Sequence, residues 1–308
     1  MPREYHTVVE PVTNLKKVPR ERVPSYAKDD LLFSQLLFGE KVLVRDEHNG
    51  WALVEAVEQQ MFQMHEQWEG YSGWVQKESI KPCGARQTET GATVKTRTAL
   101  VYSMPDCNSA TLFNLSIGTR IDACQTSAEI ERFYPVCLAG GGTGWIDKEK
   151  LRMTDQEAAW WQDREDVLAT ALFFMRVPYL WGGRSMHMPD LQATATGVDC
   201  SGLVNIVFRV HGIDLPRDAH EQWMKATPVS ADNLRPCDLI FVANGENTVT
   251  HVMLFVGGES FIEARETGAN VTMGTFKERF GKNLAAFCGE GPKIYIGDHV
   301  VLFGKVLP

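Results

Sequence analysis

Gly197-Val198-Asp199-Cys200-Ser201-Gly202-Leu203 is the stretch on which the reading of this chain turns. An apolar run, Val204 to Val210, follows it and stops at His211-Gly212. The pattern predicts a helix from Cys200 or Ser201 to about Val210. The first turn of a helix presents unpaired N–H groups and a partial positive charge. Both favour a thiolate over a thiol, and the thiolate is the nucleophile.

Downstream, His251 opens a strand-like run that ends at Val256, and Glu263 closes a second, Ser260 to Glu263. Alternation places Phe261 and Glu263 on one face. A nucleophile, a base and a polar orienter, in that order, are the minimum set for a cysteine acyl-transfer enzyme. A carboxylate on the imidazole Nδ1–H would favour the imidazolium, and with it a thiolate–imidazolium pair. Leu239 to Val242 reads as a third strand, and Asn244-Gly245 and Gly257-Gly258 as turns. Thr154-Asp155 predicts the start of a helix that runs to Arg176, before Pro178. Pro292 to Ile296 and His299 to Leu302 read as edge strands. A helix followed by an antiparallel meander is an α+β pattern.

The first half of the chain contains a repeat. Gly70, Gly73, Trp74, Lys77 and Glu78 recur as Gly141, Gly144, Trp145, Lys148 and Glu149. Phe38-Gly39 and Ile117-Gly118 open the same pattern upstream, with extra residues in the first copy between Glu55 and Glu69. Each copy reads as short alternating strands with glycine turns, the pattern of a small β-barrel. The expected division is 1–82 and 83–153 for the two barrels and 154–308 for the α+β domain.

A net charge of −8 argues against a nucleic-acid binder, which needs a basic stripe, and against docking on an anionic membrane. No signal peptide is visible and no apolar run is long enough to span a bilayer. The seven cysteines are scattered, without metal-ligand spacing. They are expected to be reduced, mostly as small buried hydrophobes, in a cytoplasmic protein without a metal or organic cofactor.

Pro178 to Gly183, Gly197 to Gly202, Leu215 to Asp218 with Gln222, Pro236 to Phe241 and His251 to Val256 appear in one order. In that order they resemble the NlpC/P60 cysteine peptidases, whose catalytic domain is papain-like. The repeated Gly-x-x-Gly-Trp resembles bacterial SH3 (SH3b) barrels. Two such barrels before the catalytic domain resemble the γ-D-glutamyl-L-diamino acid dipeptidyl-peptidases, which trim free cell-wall peptides.

The resemblance implies Cys200 as nucleophile and His251 as general base. Glu263 falls at the orienting position, where most relatives carry histidine. Asp199 and Ser201 match substrate-binding positions, and Arg217 and Asp218 match a motif whose acid holds the free amine of L-Ala. Its third residue is Ala219 here, where the family has serine. Tyr71 matches a tyrosine that reaches into the site, and Glu40 an acid that helps hold the amine. Cys237 stands where glycine is usual. Arg184 to Thr196 form a longer loop than in close relatives, placed to cap or narrow the site. The expected substrate is L-Ala-γ-D-Glu joined to a diamino acid. Two other classes stay open: a peptidoglycan-binding protein with a silent catalytic domain, and a papain-like amidase or acyltransferase acting on another amide.

Overall fold

Val42, Val44, Ala52, Val54 and Ala56 recur at every second position, the spacing that turns one face of a strand toward a core. In the computed structural model these residues pack with Leu15, Leu36, Tyr71 and Val75 into the core of the first unit. The structure describes residues 4–20, 30–62, 66–83, 91–122, 124, 130–138, 142–153, 163–188, 194–245, 248–291, 293–297 and 299–308. The first unit is an antiparallel sheet of β1 (Tyr5–Val8), β2 (Val12–Lys16), β3 (Leu32–Leu37), β4 (Lys41–His48), β5 (Trp51–Phe62), β6 (Trp68–Gln76) and β7 (Ile80–Pro82). Their order is β3-β2-β6-β5-β4-β1-β7. The extra residues of the first repeat lengthen the β5–β6 hairpin, with a register break between Ala56 and Gln60.

The second unit contains β8 (Gly91–Val94), β9 (Thr98–Tyr102), β10 (Thr111–Ser116), β11 (Arg120–Asp122), β12 (Phe133–Cys137), β13 (Thr143–Asp147) and β14 (Leu151–Met153). It forms a sheet ordered β10-β9-β13-β12 and another ordered β11-β8-β14. The repeat is visible in three dimensions. Trp74 pairs with Lys16 as Trp145 pairs with Tyr102. Gly73 and Gly144 lie so close to Leu15 and Val101 that an added Cβ would fall 2.7 and 2.5 Å from those side chains.

The described residues of the third unit include the α-helices α1 (Arg164–Leu172), α2 (Cys200–Val210), α3 (Ala219–Lys225) and α4 (Phe276–Phe280). Its strands are β15 (Thr227–Pro228), β16 (Leu239–Asn244), β17 (Thr248–Gly257), β18 (Ser260–Glu263), β19 (Thr272–Thr275), β20 (Lys293–Ile296) and β21 (His299–Lys305). The sheet order is β15-β21-β16-β17-β18-β19, with β20 added to β21. Every residue of α2 from Ser201 to Val210 is buried, so this helix is enclosed on all sides, with the polar Asn205 and Arg209 buried among its apolar residues. His211 caps it and Gly212, at φ 74°, turns the chain away in the left-handed region.

Two expectations need correction here. β21 is an interior strand, because Val300 and Leu302 enter the core under α2 while Val301 and Phe303 enter the opposite core. The described part of the first helix starts at Arg164, where Asp163 accepts from the N–H groups of Glu165 and Asp166. The cap expected at Thr154-Asp155 lies outside the described residues.

The cysteines also depart from expectation. Cys124 forms a disulfide with Cys137 at the end of β12, Cys107 and Cys288 are exposed, and Cys237 is the buried free thiol among the described residues. Proximity in the fold, not spacing in the chain, pairs the first two.

Candidate active site

Asp199 sets the start of α2. Its Oδ1 accepts from the Gly202 N–H at 2.7 Å and its Oδ2 from the Gly182 N–H at 2.9 Å. This N-cap leaves Cys200 as the first helical residue, partly exposed. The glycines around it have a steric reason. A Cβ on Gly202 would lie 2.1 Å from the Gly183 carbonyl oxygen, and one on Gly183 would lie 2.5 Å from that of Gly197. The Pro178–Gly183 turn is thereby pressed against the nucleophile's entry into the helix.

Arg217 clamps the cap. Its Nη2 donates to Asp199 Oδ2 at 2.7 Å, and its Nη1 to Asp199 Oδ1 at 3.1 Å and Ser201 Oγ at 3.0 Å. Its Nε reaches Ser34 Oγ on β3 at 2.8 Å. Asp199, Ser201 and Arg217 are all buried, and they bind one another. They hold the nucleophile's helix and join it to the first unit.

His251 and Glu263 lie on adjacent antiparallel strands, on the face shared by Met253, Phe255 and Phe261. His251 Nε2 meets Glu263 Oε2 at 2.8 Å. The expected contact used Nδ1; here Nε2 takes the carboxylate, and Nδ1 is the nitrogen left for Cys200. Burial alone would drive the imidazole toward its neutral form. The Cys200 thiolate, which hydrogen-bonds to it, and the Glu263 carboxylate outweigh burial and raise its pKa to about 9. The imidazole is therefore held as imidazolium near neutral pH, beside Cys200 at the start of α2.

Beyond the nucleophile lies a polar recess. Tyr71 Oη donates to Asp218 Oδ2 at 2.9 Å across the boundary between the first and third units. Asp218 keeps a half-open side chain. Partial desolvation pushes its carboxyl above the usual range, against the pull of Arg217 and Tyr71. Burial, then the Asp218 charge, pushes the Tyr71 phenol well above its usual value. Glu221, one turn further along α3, is raised by burial with Asp218 adding to it. The lengthened β5–β6 hairpin reaches this end: Arg217 N–H donates to the Gln60 carbonyl at 3.0 Å, and Lys225 stacks on Trp68 at 4.0 Å.

Glu40 is not in this recess. It is 2% exposed and its Oε1 receives Arg184 Nη1 at 2.5 Å, with Arg209 Nη2 at 3.6 Å. Its other oxygen accepts from Gln59 Nε2 at 3.0 Å. The loop from Arg184 to Thr196 does not cap the site where it is described. Arg184 and Ser185 are fully buried, and Met186 and Met188 join the core under α2. Residues 189–193 lie outside the described set.

Tyr179, within the Pro178–Gly183 segment, is a site residue that the motifs did not single out. Burial and the nearby Asp199 and Cys200 raise its phenol, which puts it beside the nucleophile. Trp181, two residues on, is 43% exposed on the same turn. A tyrosine in a turn that glycines press against the nucleophile was the available signal. Cys237 has φ 74°, the conformation that explains glycine at this position in the family. Burial pushes its thiol up to about 12, so it is an inert cysteine.

A thiol at a helix N-terminus, an imidazole and a carboxylate on the neighbouring strands are the parts of a papain-like cysteine peptidase. Residues 176–286 match the NlpC/P60 family, and this part of the chain is an NlpC/P60 domain. The chain is 28% identical over 261 residues to a γ-D-glutamyl-L-lysine dipeptidyl-peptidase of Bacillus subtilis strain 168, covering 84% of this chain and 81% of that protein. It is 26% identical to dipeptidyl-peptidase 6 of Lysinibacillus sphaericus, over 82% of this chain and 89% of the relative. The crystal structure of an NlpC/P60 family protein from Bacillus cereus superposes with a TM-score of 0.76 at 23% identity, covering 99% of this chain and 100% of that one. That last likeness concerns the fold.

Proposed function

We propose that the chain is a cysteine peptidase that hydrolyses the amide after γ-D-Glu in free L-Ala-γ-D-Glu–diamino acid peptides of the cell wall. The observation that carries the reading is the pairing of the Cys200–His251–Glu263 site with an Asp218–Tyr71 recess at one end. Cys200 attacks the γ-carbonyl carbon, and the amide opens to a thioester as His251 gives its proton to the leaving amine. Water, with His251 as base, then hydrolyses the thioester and restores the thiol. The developing oxyanion is met by the Cys200 backbone N–H at the start of α2. An incoming ammonium would relieve the unfavourable charge of Asp218 and Glu221, so the recess suits a free amine. It disfavours a capped one, which would leave those groups unpaired.

The names of the relatives support the substrate class. The repeat and its matching tryptophan pairings support reading 1–82 and 83–153 as SH3b-type barrels before a catalytic domain over 154–308. A cytoplasmic setting, acting on peptides already freed from glycan, belongs to the same proposal. The Cys124–Cys137 bridge is the feature that opposes it, since that compartment keeps thiols reduced.

The test is to incubate the protein and its Cys200→Ala variant with L-Ala-γ-D-Glu-meso-diaminopimelate, its lysine counterpart and their N-acetylated forms, with products read by mass. Release of L-Ala-D-Glu from the free peptides alone, lost in the variant, is the expected result. Cleavage of acetylated peptides as well would overturn the amine recess. No cleavage of any would overturn the activity and favour the binding or transferase classes.

A further inference from the structure

Glu263 is 4% exposed, and a carboxylate so buried needs cations or hydrogen-bond donors beside it. His251 supplies one, but only while it is protonated. When it passes its proton to a leaving amine, that cation is gone. A second one is built in beside it. Arg279 Nε lies 3.7 Å from Glu263 Oε2, the same oxygen that meets His251. That Nε is buried and, among the described residues, has no hydrogen-bond acceptor of its own.

Its placement is fixed by α4. A Thr275–Glu278 capping box starts the helix and Gly281, in the left-handed region, ends it. Phe276 and Phe280 pack on Phe261, with ring centroids 5.7 and 6.3 Å away. Phe261 stands on the same strand and face as Glu263, so the packing that seats the helix also sets the guanidinium against the carboxylate. The guanidinium in turn lies over the Phe280 ring at 5.8 Å.

We infer that Arg279 is a positioning residue that holds Glu263 aimed at His251 through both protonation states of the imidazole. The groups that face this line are His251 on β17, Cys200 on α2 with Asp199 and Tyr179 beyond it, and Arg279 on α4. β19 brings the neutral Thr272 opposite Glu263, and Arg265 and Glu266 just past β18 are exposed. The inference rests on the reading of Cys200 as nucleophile and His251 as its base and not on the identity of the peptide.

The test is the rate of Cys200 alkylation by iodoacetamide, followed by mass between about pH 5 and 9, in the wild type, Arg279→Met and Arg279→Lys. A carboxylate no longer held against the ring stabilises the imidazolium less, so the thiolate beside it is favoured less and the acid side should suffer first. The methionine variant should shift its acid limb upward by about one pH unit, roughly a tenfold loss at the acid end, with the alkaline plateau kept. The lysine variant should restore the wild-type limb. Superimposable profiles for the wild type and Arg279→Met would overturn the inference. So would a loss equal at every pH that lysine fails to repair, since that is what mere damage to α4 would give. Because the assay needs no peptide, failure of the proposed substrate would leave this result readable.

Discussion

Replacing Glu40 by glutamine removes a charge while keeping the side chain's shape. Its partner Arg184 is fully buried, with Nε held by the Asn205 amide oxygen at 2.7 Å and Nη1 by Glu40. Glu40→Gln leaves that guanidinium inside without a counter-charge, while Arg209 keeps Glu58 at 2.6 Å. A unit pair at the 3.6 Å of the weaker Glu40–Arg209 contact is worth about 5 kcal/mol at an effective dielectric of about 20. Loss of one partner of a buried pair costs about 3–5 kcal/mol, a similar figure. We expect urea unfolding to show a loss of that size for Glu40→Gln. The double variant Glu40→Met with Arg184→Met should recover most of it, since it buries no unpaired charge. Where the single variant remains folded, its KM for the free peptide should be unchanged. A stability change under about 1 kcal/mol would refute the buried-pair account. A KM raised for the free peptide alone would return Glu40 to the amine end.

Three further outcomes are expected. Tyr71→Phe removes a hydrogen bond to a charged group, so kcat/KM on the free peptide should fall roughly 10- to 100-fold without lowering Cys200 alkylation. His211 is fully buried against Thr170, and burial, with Arg152 adding, lowers its pKa from 6.5 to about 4. The unfolded chain therefore binds a proton that the folded one refuses. Stability should drop by about 3 kcal/mol as pH falls from 6.5 to about 4, and His211→Gln should flatten that part of the urea-midpoint profile against pH. Finally, alkylation of denatured, unreduced protein should label five of the seven cysteines, and all seven after reduction. Labelling of seven without reduction would remove the Cys124–Cys137 bridge.

The nucleophile, its helix and the strands that follow were legible because their chemistry is local. An acid–cysteine–serine–glycine start and an apolar run specify α2, and period-2 alternation specifies β17 and β18. Glu40 was misplaced because its partner lies 144 residues away in the chain. Arg184 in turn was assigned to a surface loop, because a charged residue in a polar stretch looks exposed until an opposing carboxylate is known. β21 was read as an edge for a related reason: four apolar residues in a row describe a strand buried on both faces only once both cores exist. Which imidazole nitrogen faces Glu263 depends on how the strands meet α2, and no spacing in the chain encodes it. Arg279 escaped notice because α4 is a single short helix whose importance lies in what it leans on.

The buried arginines of the third unit have an evolutionary consequence. Arg217 ends on Ser34, Arg184 on Glu40, and Arg209 on Glu58 and the Gly118 carbonyl. The N-terminal half is thus less a detachable targeting module than a lining, inherited with the enzyme it completes. Shuffling in a different front half would strand the Arg184 charge, take Glu58 from Arg209 and leave Arg217 without its Ser34 anchor. Lineages that carry this arrangement can vary the outer faces of their sheets freely, but they must pass on the two halves as one piece.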